Sequence, residues 1–227
     1  MSAPAWVLLS MLAFSIPVAF AAETASEPDF AGVAVSAEVR QLARWALASG
    51  DAAGRHLVLV DKRRAHAYVL DARGRLLGHS PALLGLARGD DTVAGIGERP
   101  LSQVRPRERT TPAGRFLPEP GRNMEGEDVV WVDYDAAVSM HRVRARVKAE
   151  HRLQRLASPT ATDNRISFGC INLPPTFYEQ VLLPAVQASA VVYVLPEVRP
   201  LADVFPGLRP TGAAGGRRRG APIGPLG

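Results

Sequence analysis

The sequence predicts a mostly β domain, a sandwich or barrel, with two or three helices on its periphery. Three observations carry this. Short apolar runs recur at turn-separated spacing, as in His56 to Asp61, Ala65 to Leu70 and Asp128 to Asp133. Between them stand turn-forming clusters such as Lys62-Arg63-Arg64, Asp71-Ala72-Arg73-Gly74 and Tyr134-Asp135. Helical periodicity marks two stretches near the ends, and a third, basic stretch is helical only in part.

In chain order, the first stretch is a targeting segment. Trp6 to Phe20 is uncharged and apolar apart from Ser10 and Ser15, and Ala19-Phe20-Ala21 places small residues where a signal peptidase reads. Residues 1–21 are expected to be a signal peptide, cleaved after Ala21 or one residue later. No Lys or Arg precedes the apolar run, and Pro17 interrupts it. The run is short for a membrane span, and no other stretch is long and apolar enough for one. Export into the periplasm or cell wall is therefore the expectation. Residues 22–50 read as a linker and a helix. Ser36 is a cap candidate, Val39, Leu42, Ala43, Ala46 and Leu47 share a face, and Gly50 ends the helix.

Hairpins follow. His56 to Asp61, Ala65 to Leu70 and Arg75 to Leu84 read as an antiparallel meander. Gly85 to Arg109 is rich in Gly, Asp and Arg, and a loop of that length in a compact domain is often a lid or binding loop. Thr110-Thr111-Pro112-Ala113-Gly114-Arg115-Phe116 reads as a tight turn into a strand, and Pro118 to Glu127 as a polar loop. Asp128 to Asp133 and Ala136 to His141 are strands, and the basic stretch Arg142 to Ala157 is partly helical. Ser158 to Asn164 leads to a strand around the cysteine. A helix spans roughly Thr176 to Ala188, with Phe177, Val181 and Leu182 inward, and Val191 to Leu195 is a buried strand. The Gly/Pro/Arg-rich tail, residues 207–227, is expected to be disordered.

Composition narrows the function classes. Among 227 residues the formal charge is +5, part of it in Arg217-Arg218-Arg219, and aromatics make up 6%. The basic patch with interleaved aromatics that nucleic-acid binding needs is missing. Asp133-Tyr134-Asp135 and Asp90-Asp91 lack a matching His or Cys cluster, so turn chemistry is their reading and no metal or other cofactor is expected.

One residue stands out: Cys170 is the single cysteine. In an exported chain a cysteine without a partner suggests a reactive thiol or an intermolecular bridge. A thiol becomes a nucleophile when deprotonated, usually by a neighbouring imidazole. Of His56, His66, His79, His141 and His151, only His141 ends a buried-looking strand that can aim its ring. His151, among Lys148, Glu150, Arg152 and Arg155, sits on a solvated face.

Ser167-Phe168-Gly169-Cys170-Ile171-Asn172 resembles the signature of the L,D-transpeptidase (YkuD-type) catalytic domain family: Ser or Thr, often His, Gly, Cys, an apolar residue, then Arg or Asn. Thr111 to Phe116 is similar to that family's Thr-Pro-x-Gly-x-Phe turn, and Val138-Ser139-Met140-His141 to its strand-end histidine. The resemblance covers roughly Leu57 to Leu195, within a catalytic domain placed at residues 51–200. It implies a mainly β L,D-transpeptidase fold and an exported enzyme acting on peptidoglycan stem peptides. Cys170 would attack the carbonyl of a diamino acid bonded to D-Ala, expel D-Ala, and pass the acyl group to an amine. Water as acceptor would make a carboxypeptidase. A peptidoglycan amidase with the same site, and a non-catalytic wall-binding protein, are the rival outcomes. His141 would be the base. Backbone N–H groups at Gly169 and Cys170 would form the oxyanion hole, in a turn shaped by Ser167, Phe168 and Asn172. Arg165 and Asn172 would face substrate. Two departures stand out. Phe168 replaces the common second His, and residues 142–166 separate His141 from Ser167 by more than the family usually shows.

Overall fold

A computed structural model describes residues 27–209. The expected signal peptide, and the tail beyond residue 209, lie outside the described residues. Among the described residues eleven strands fall into three sheets. The five-stranded sheet has the order β3 (Leu76–Pro81), β2 (His66–Leu70), β1 (His56–Asp61), β11 (Ala190–Val194), β5 (Gly114–Phe116). The four-stranded sheet has the order β10 (Ile171–Leu173), β8 (Val138–Arg142), β7 (Asp128–Asp133), β6 (Glu119–Arg122). The third sheet pairs β4 (Leu84–Gly85) with β9 (Arg165–Ser167). The chain is therefore mostly β, as expected. The sheets stay open, so the barrel half of the expectation is corrected. Nor is the pairing a pure antiparallel meander: β1–β11, β8–β10 and β4–β9 are parallel.

Apolar runs in β1 and β11 follow from burial on both faces, the condition under which strands lose their polar alternation. On one face Val58, Val60, Val192 and Val194 share a core with Val130, Met140, Ile171 and Leu173 of the four-stranded sheet. On the other, Leu57, Leu59, Val191 and Tyr193 pack against α1 (Ala37–Ala48) through Val39, Leu42, Ala43 and Ala46. The Ser36 hydroxyl accepts the Val39 N–H at 3.2 Å and donates to Asp61 at 2.7 Å, so the cap also ties the helix to the end of β1. Phe30, read from sequence as linker, is core: it is buried in this second cluster.

A short helix α2 (Arg152–Ala157) follows the basic stretch. Residues 175–188 form a continuous helix, α3, with a π turn at Tyr178–Leu182 between its α-helical ends. Finally α4 (Leu201–Val204) leads to the turn Pro206–Leu208, which packs on Trp45: a Cβ on Gly207 would lie 2.5 Å from the indole. Residues 207–209 therefore belong to the folded body and not to the tail. Two loop expectations change as well. The polar stretch 118–127 contains β6, an edge strand, the position in a sheet where a proline such as Pro120 is tolerated. The stretch 85–109 holds three 3₁₀ turns, at Ile96–Glu98, Leu101–Gln103 and Pro106–Glu108.

Among the described residues no helix is long and apolar enough to cross a membrane, and no group of three or more His, Cys, Asp and Glu could hold a metal ion.

Candidate active site

Register places the site. Strands β8 and β10 run parallel with His141 opposite Asn172 and Met140 opposite Ile171. Alternation along β8 buries Val138 and Met140 in the core and turns Ser139 and His141 to the other face. Cys170, one residue before β10, then meets that face. Its Sγ lies 3.7 Å from Ser139 Oγ and 3.6 Å from the carbonyl of Ala137.

The cysteine turn is clamped from within and from below. Ser167 Oγ donates to the Cys170 carbonyl at 2.6 Å and accepts the Gly169 N–H at 3.1 Å. Thr111 Oγ1 donates to the Gly169 carbonyl at 2.8 Å while accepting the Gly85 N–H at 2.9 Å. The Thr-Pro-Ala-Gly stretch thus acts on the cysteine turn by hydrogen bonding across the fold. Gly169 has φ +137°, and a Cβ there would lie 2.8 Å from the Thr110 carbonyl. Both conditions exclude a side chain. Gly169→Ala is expected to cost at least about 2 kcal/mol, from the left-handed penalty together with the backbone clash. It should also slow Cys170 alkylation by iodoacetamide. An unchanged melting temperature with unchanged thiol reactivity would refute this account of the turn.

His141 is held in one tautomer. Its Nδ1 lies 2.8 Å from the Arg142 carbonyl, which can only accept, so Nδ1 carries the proton and Nε2 presents its lone pair. Asn172 sits beside it, with Nδ2 3.3 Å from His141 Nε2 and 3.3 Å from the Cys170 carbonyl. Arg152 donates to Asn172 Oδ1 at 2.7 Å. A guanidinium has donors only, so it fixes which end of the amide faces the imidazole. Burial alone would push the Cys170 thiol up. The nearby His141 and, after it, the N–H and hydroxyl of Ser139 outweigh burial and hold the thiol below its ordinary value.

Cys170, His141, Ser167, Phe168 and Asn172 open on one cavity of about 480 Å³. The rest of its lining comes from the 85–109 loop, through Ile96, Arg99 and Val104, and from the 142–166 stretch, through Arg144, Arg146 and Arg152. Phe168 is the link between the turn and the first of these. Arg109 stacks over its ring at 3.8 Å and donates to the Val104 carbonyl. His151 is exposed at the N-terminus of α2 and does not line the cavity.

Three expectations are corrected here. Arg165 does not face substrate: it is 7% exposed, pairs with Glu197 at 2.5 Å, and donates to the Lys62 carbonyl at 2.7 Å. Asn172 is 1% exposed and its amide is engaged by Arg152 and the Cys170 carbonyl, so it orients the site rather than reaching for a ligand. The Gly169 N–H is committed to Ser167 and cannot also serve an oxyanion. A fourth change lies behind the turn. Lys62, read as a turn residue, is fully buried, and its ammonium donates to Asp90 at 2.8 Å and to the Thr111 and Gly89 carbonyls. Asp90 also accepts the N–H groups of Glu197, Val198 and Arg199.

Sequence reasoning missed Ser139, although it lies two residues before His141 on a strand and so shares its face. It also missed the Arg142 carbonyl, which any residue type supplies, and Arg152, whose partner Asn172 lies 20 residues away in sequence.

Comparison with protein families and with curated proteins finds no match for this chain. Solved structures similar to it include L,D-transpeptidases. The catalytic domain of the Enterococcus faecium enzyme is 19% identical over 63% of this chain and 98% of its own, with a TM-score of 0.38. An L,D-transpeptidase from Mycobacterium smegmatis is 18% identical over 62% of this chain, TM-score 0.35. The helical cell shape determining protein Pgp2 (K307A mutant) from Campylobacter jejuni is 15% identical over 76% of this chain, TM-score 0.40. The chain spans 58% of the M. smegmatis structure's length and 64% of the C. jejuni one. At these identities and TM-scores the overlap is loose, and the chemistry is read from the site's own geometry.

Proposed function

We propose that the chain is an exported cysteine acyltransferase acting on peptidoglycan stem peptides, with an L,D-transpeptidase reaction. The observation that carries this reading is the thiol: Cys170 opens on a cavity with its proton affinity lowered by His141, whose other nitrogen is anchored on a backbone carbonyl. That is the arrangement of an activated nucleophile with an oriented base.

In this mechanism Cys170 passes its proton to His141 Nε2, and the Arg142 carbonyl stabilises the imidazolium through Nδ1–H. The thiolate attacks the carbonyl of the diamino acid, and the Cys170 N–H, the turn donor not committed to Ser167, meets the developing oxyanion. Collapse breaks the amide bond, His141 returns its proton to the departing D-Ala amine, and a thioester remains. An acceptor amine then loses a proton to His141 and takes the acyl group. Water in its place gives a carboxypeptidase, and a different bond presented to the same thiolate gives an amidase. The site of action on this reading is the periplasm or cell wall.

Incubation with defined muropeptides, with products read by mass, tests the proposal. Crosslinked dimers are expected, and Cys170→Ala should abolish them while keeping the melting temperature. Release of D-Ala without crosslinking would assign water as acceptor. Turnover retained in Cys170→Ala would refute the mechanism, and no turnover by the intact protein would favour a non-catalytic wall-binding role.

A further inference from the structure

Arg99 stands in the 85–109 stretch, just after the 3₁₀ turn Ile96–Glu98, and lines the same cavity as Cys170. That turn is seated on the backbone. A Cβ on Gly97 would lie 2.3 Å from the Asp135 carbonyl, in the turn whose Ala137 carbonyl meets the cysteine sulfur. The arginine is thus placed by packing against the cysteine's own surroundings.

Its guanidinium is only half used. Nη1 reaches Glu108 at 3.3–3.4 Å, while Nε and Nη2 have no hydrogen-bond partner among the described residues and are closed off from solvent, so a ligand in the cavity meets them only once the partly exposed side chain turns. Those two atoms form one edge of the guanidinium, a two-donor fork that matches a carboxylate. This chain uses that edge elsewhere: Arg44 grips Glu27 through Nε and Nη2, and Arg75 grips Asp71 the same way. The other arginines of the cavity are engaged, Arg144 and Arg146 by Glu125 and Glu127, and Arg152 by Glu150 and Asn172. The cavity's own carboxylates, Glu125 and Glu150, are taken up in those pairs. Buried N–H donors without partners carry a desolvation cost that a ligand acceptor relieves.

We infer that Arg99 is a specificity residue that takes a free carboxylate of the peptide bound at Cys170, through its Nε and Nη2 edge. This rests on the acyl-transfer reading for the identity of the peptide but not for the contact. The test therefore separates binding from turnover. The Cys170→Ala protein is titrated by calorimetry with a tetrapeptide stem ending in a diamino acid and D-Ala. Two further peptides are titrated alongside, one amidated at the C-terminal carboxylate and one at the side-chain carboxylate of the diamino acid. One amide is expected to bind roughly 10- to 100-fold more weakly than the free acid, identifying the carboxylate held. Adding Arg99→Ala, or Arg99→Gln should alanine disturb folding, is expected to erase that preference and leave the amide's affinity unchanged. Equal binding of all three peptides, or a preference that survives both Arg99 variants, would overturn the inference. Turnover of the free acid by the intact protein is measured separately. An Arg99-dependent preference without turnover refutes the acyl-transfer reading alone.

Discussion

His141→Ala is expected to slow Cys170 alkylation by iodoacetamide at neutral pH about tenfold or more, and to lower turnover about 10²- to 10⁴-fold, the usual worth of a positioned base. The reason lies in the thiol's surroundings. Burial opposes the thiolate, and His141 is the largest influence in its favour. The reactive species is the thiolate, present above the thiol's pKa and lost as pH falls through it. In the intact protein the alkylation rate should therefore rise with pH around a midpoint below that of an ordinary cysteine. Without the imidazole the desolvation effect is left unopposed by it, and the midpoint should move up. The measurement is a pH–rate profile read by mass at Cys170. A profile identical in the two proteins would remove His141 from the mechanism and leave Ser139 as the thiol's main partner.

The second large effect is on the fold. Lys62→Met is expected to destabilise the protein by about 3–5 kcal/mol, the scale for removing one partner of a buried ion pair. That corresponds to a melting temperature lower by roughly 6–20 °C. Lys62 is fully buried, and its loss leaves Asp90 and, 3.8 Å away, Glu197 without that cation. Acid should reveal the same cluster. Burial would raise the Asp90 carboxyl, but the N–H groups of Arg199 and Glu197 and the Lys62 ammonium outweigh it and hold it at about 2. A carboxylate lowered on folding contributes stability that is complete above the unfolded value of about 4 and lost as pH falls from there toward 2, on the order of 2 kcal/mol here. In Lys62→Met part of that depression disappears, so acid unfolding followed by tryptophan fluorescence should begin at higher pH. A melting temperature within about 2 °C of the parent would show that the cluster is not what holds the cysteine turn's underside.

How much of this was legible beforehand depends on the range of the interaction. Strands β1, β2 and β7 and helix α1 announce themselves, because apolar spacing and turn residues are local signals. The cysteine turn does too, since Ser167 and Gly169 act on neighbours two and three residues away. Strand β6 did not: Glu119-Pro120-Gly121-Arg122 has neither alternation nor β-formers. It is held by its partner, with Trp131 lying over Gly121 where a Cβ would meet the indole at 2.7 Å. The expectation for Arg165 fails for the same reason. Its partner Glu197 is distant in sequence, and no local pattern distinguishes a guanidinium reaching for substrate from one reaching for a buried carboxylate. Lys62 looked like a turn residue because it is one; that its side chain turns inward is a fact about Asp90 and Thr111.

The parallel ladder between β1 and β11 has a consequence for how the chain reaches this state. It joins His56–Asp61 to Ala190–Val194, so the middle of the five-stranded sheet closes only when nearly the whole chain is present. Non-local pairing of this kind makes folding slow, because loop-closure entropy is spent before the contacts form. Until then β1, β2 and β3 stand as a meander with one apolar edge unpaired, a template for association with other chains. Glu197 lies just beyond β11 and fastens Arg165 beneath the cysteine turn. The strand that removes the sticky edge therefore also completes the nucleophile's support, and the thiol matures as the aggregation hazard ends.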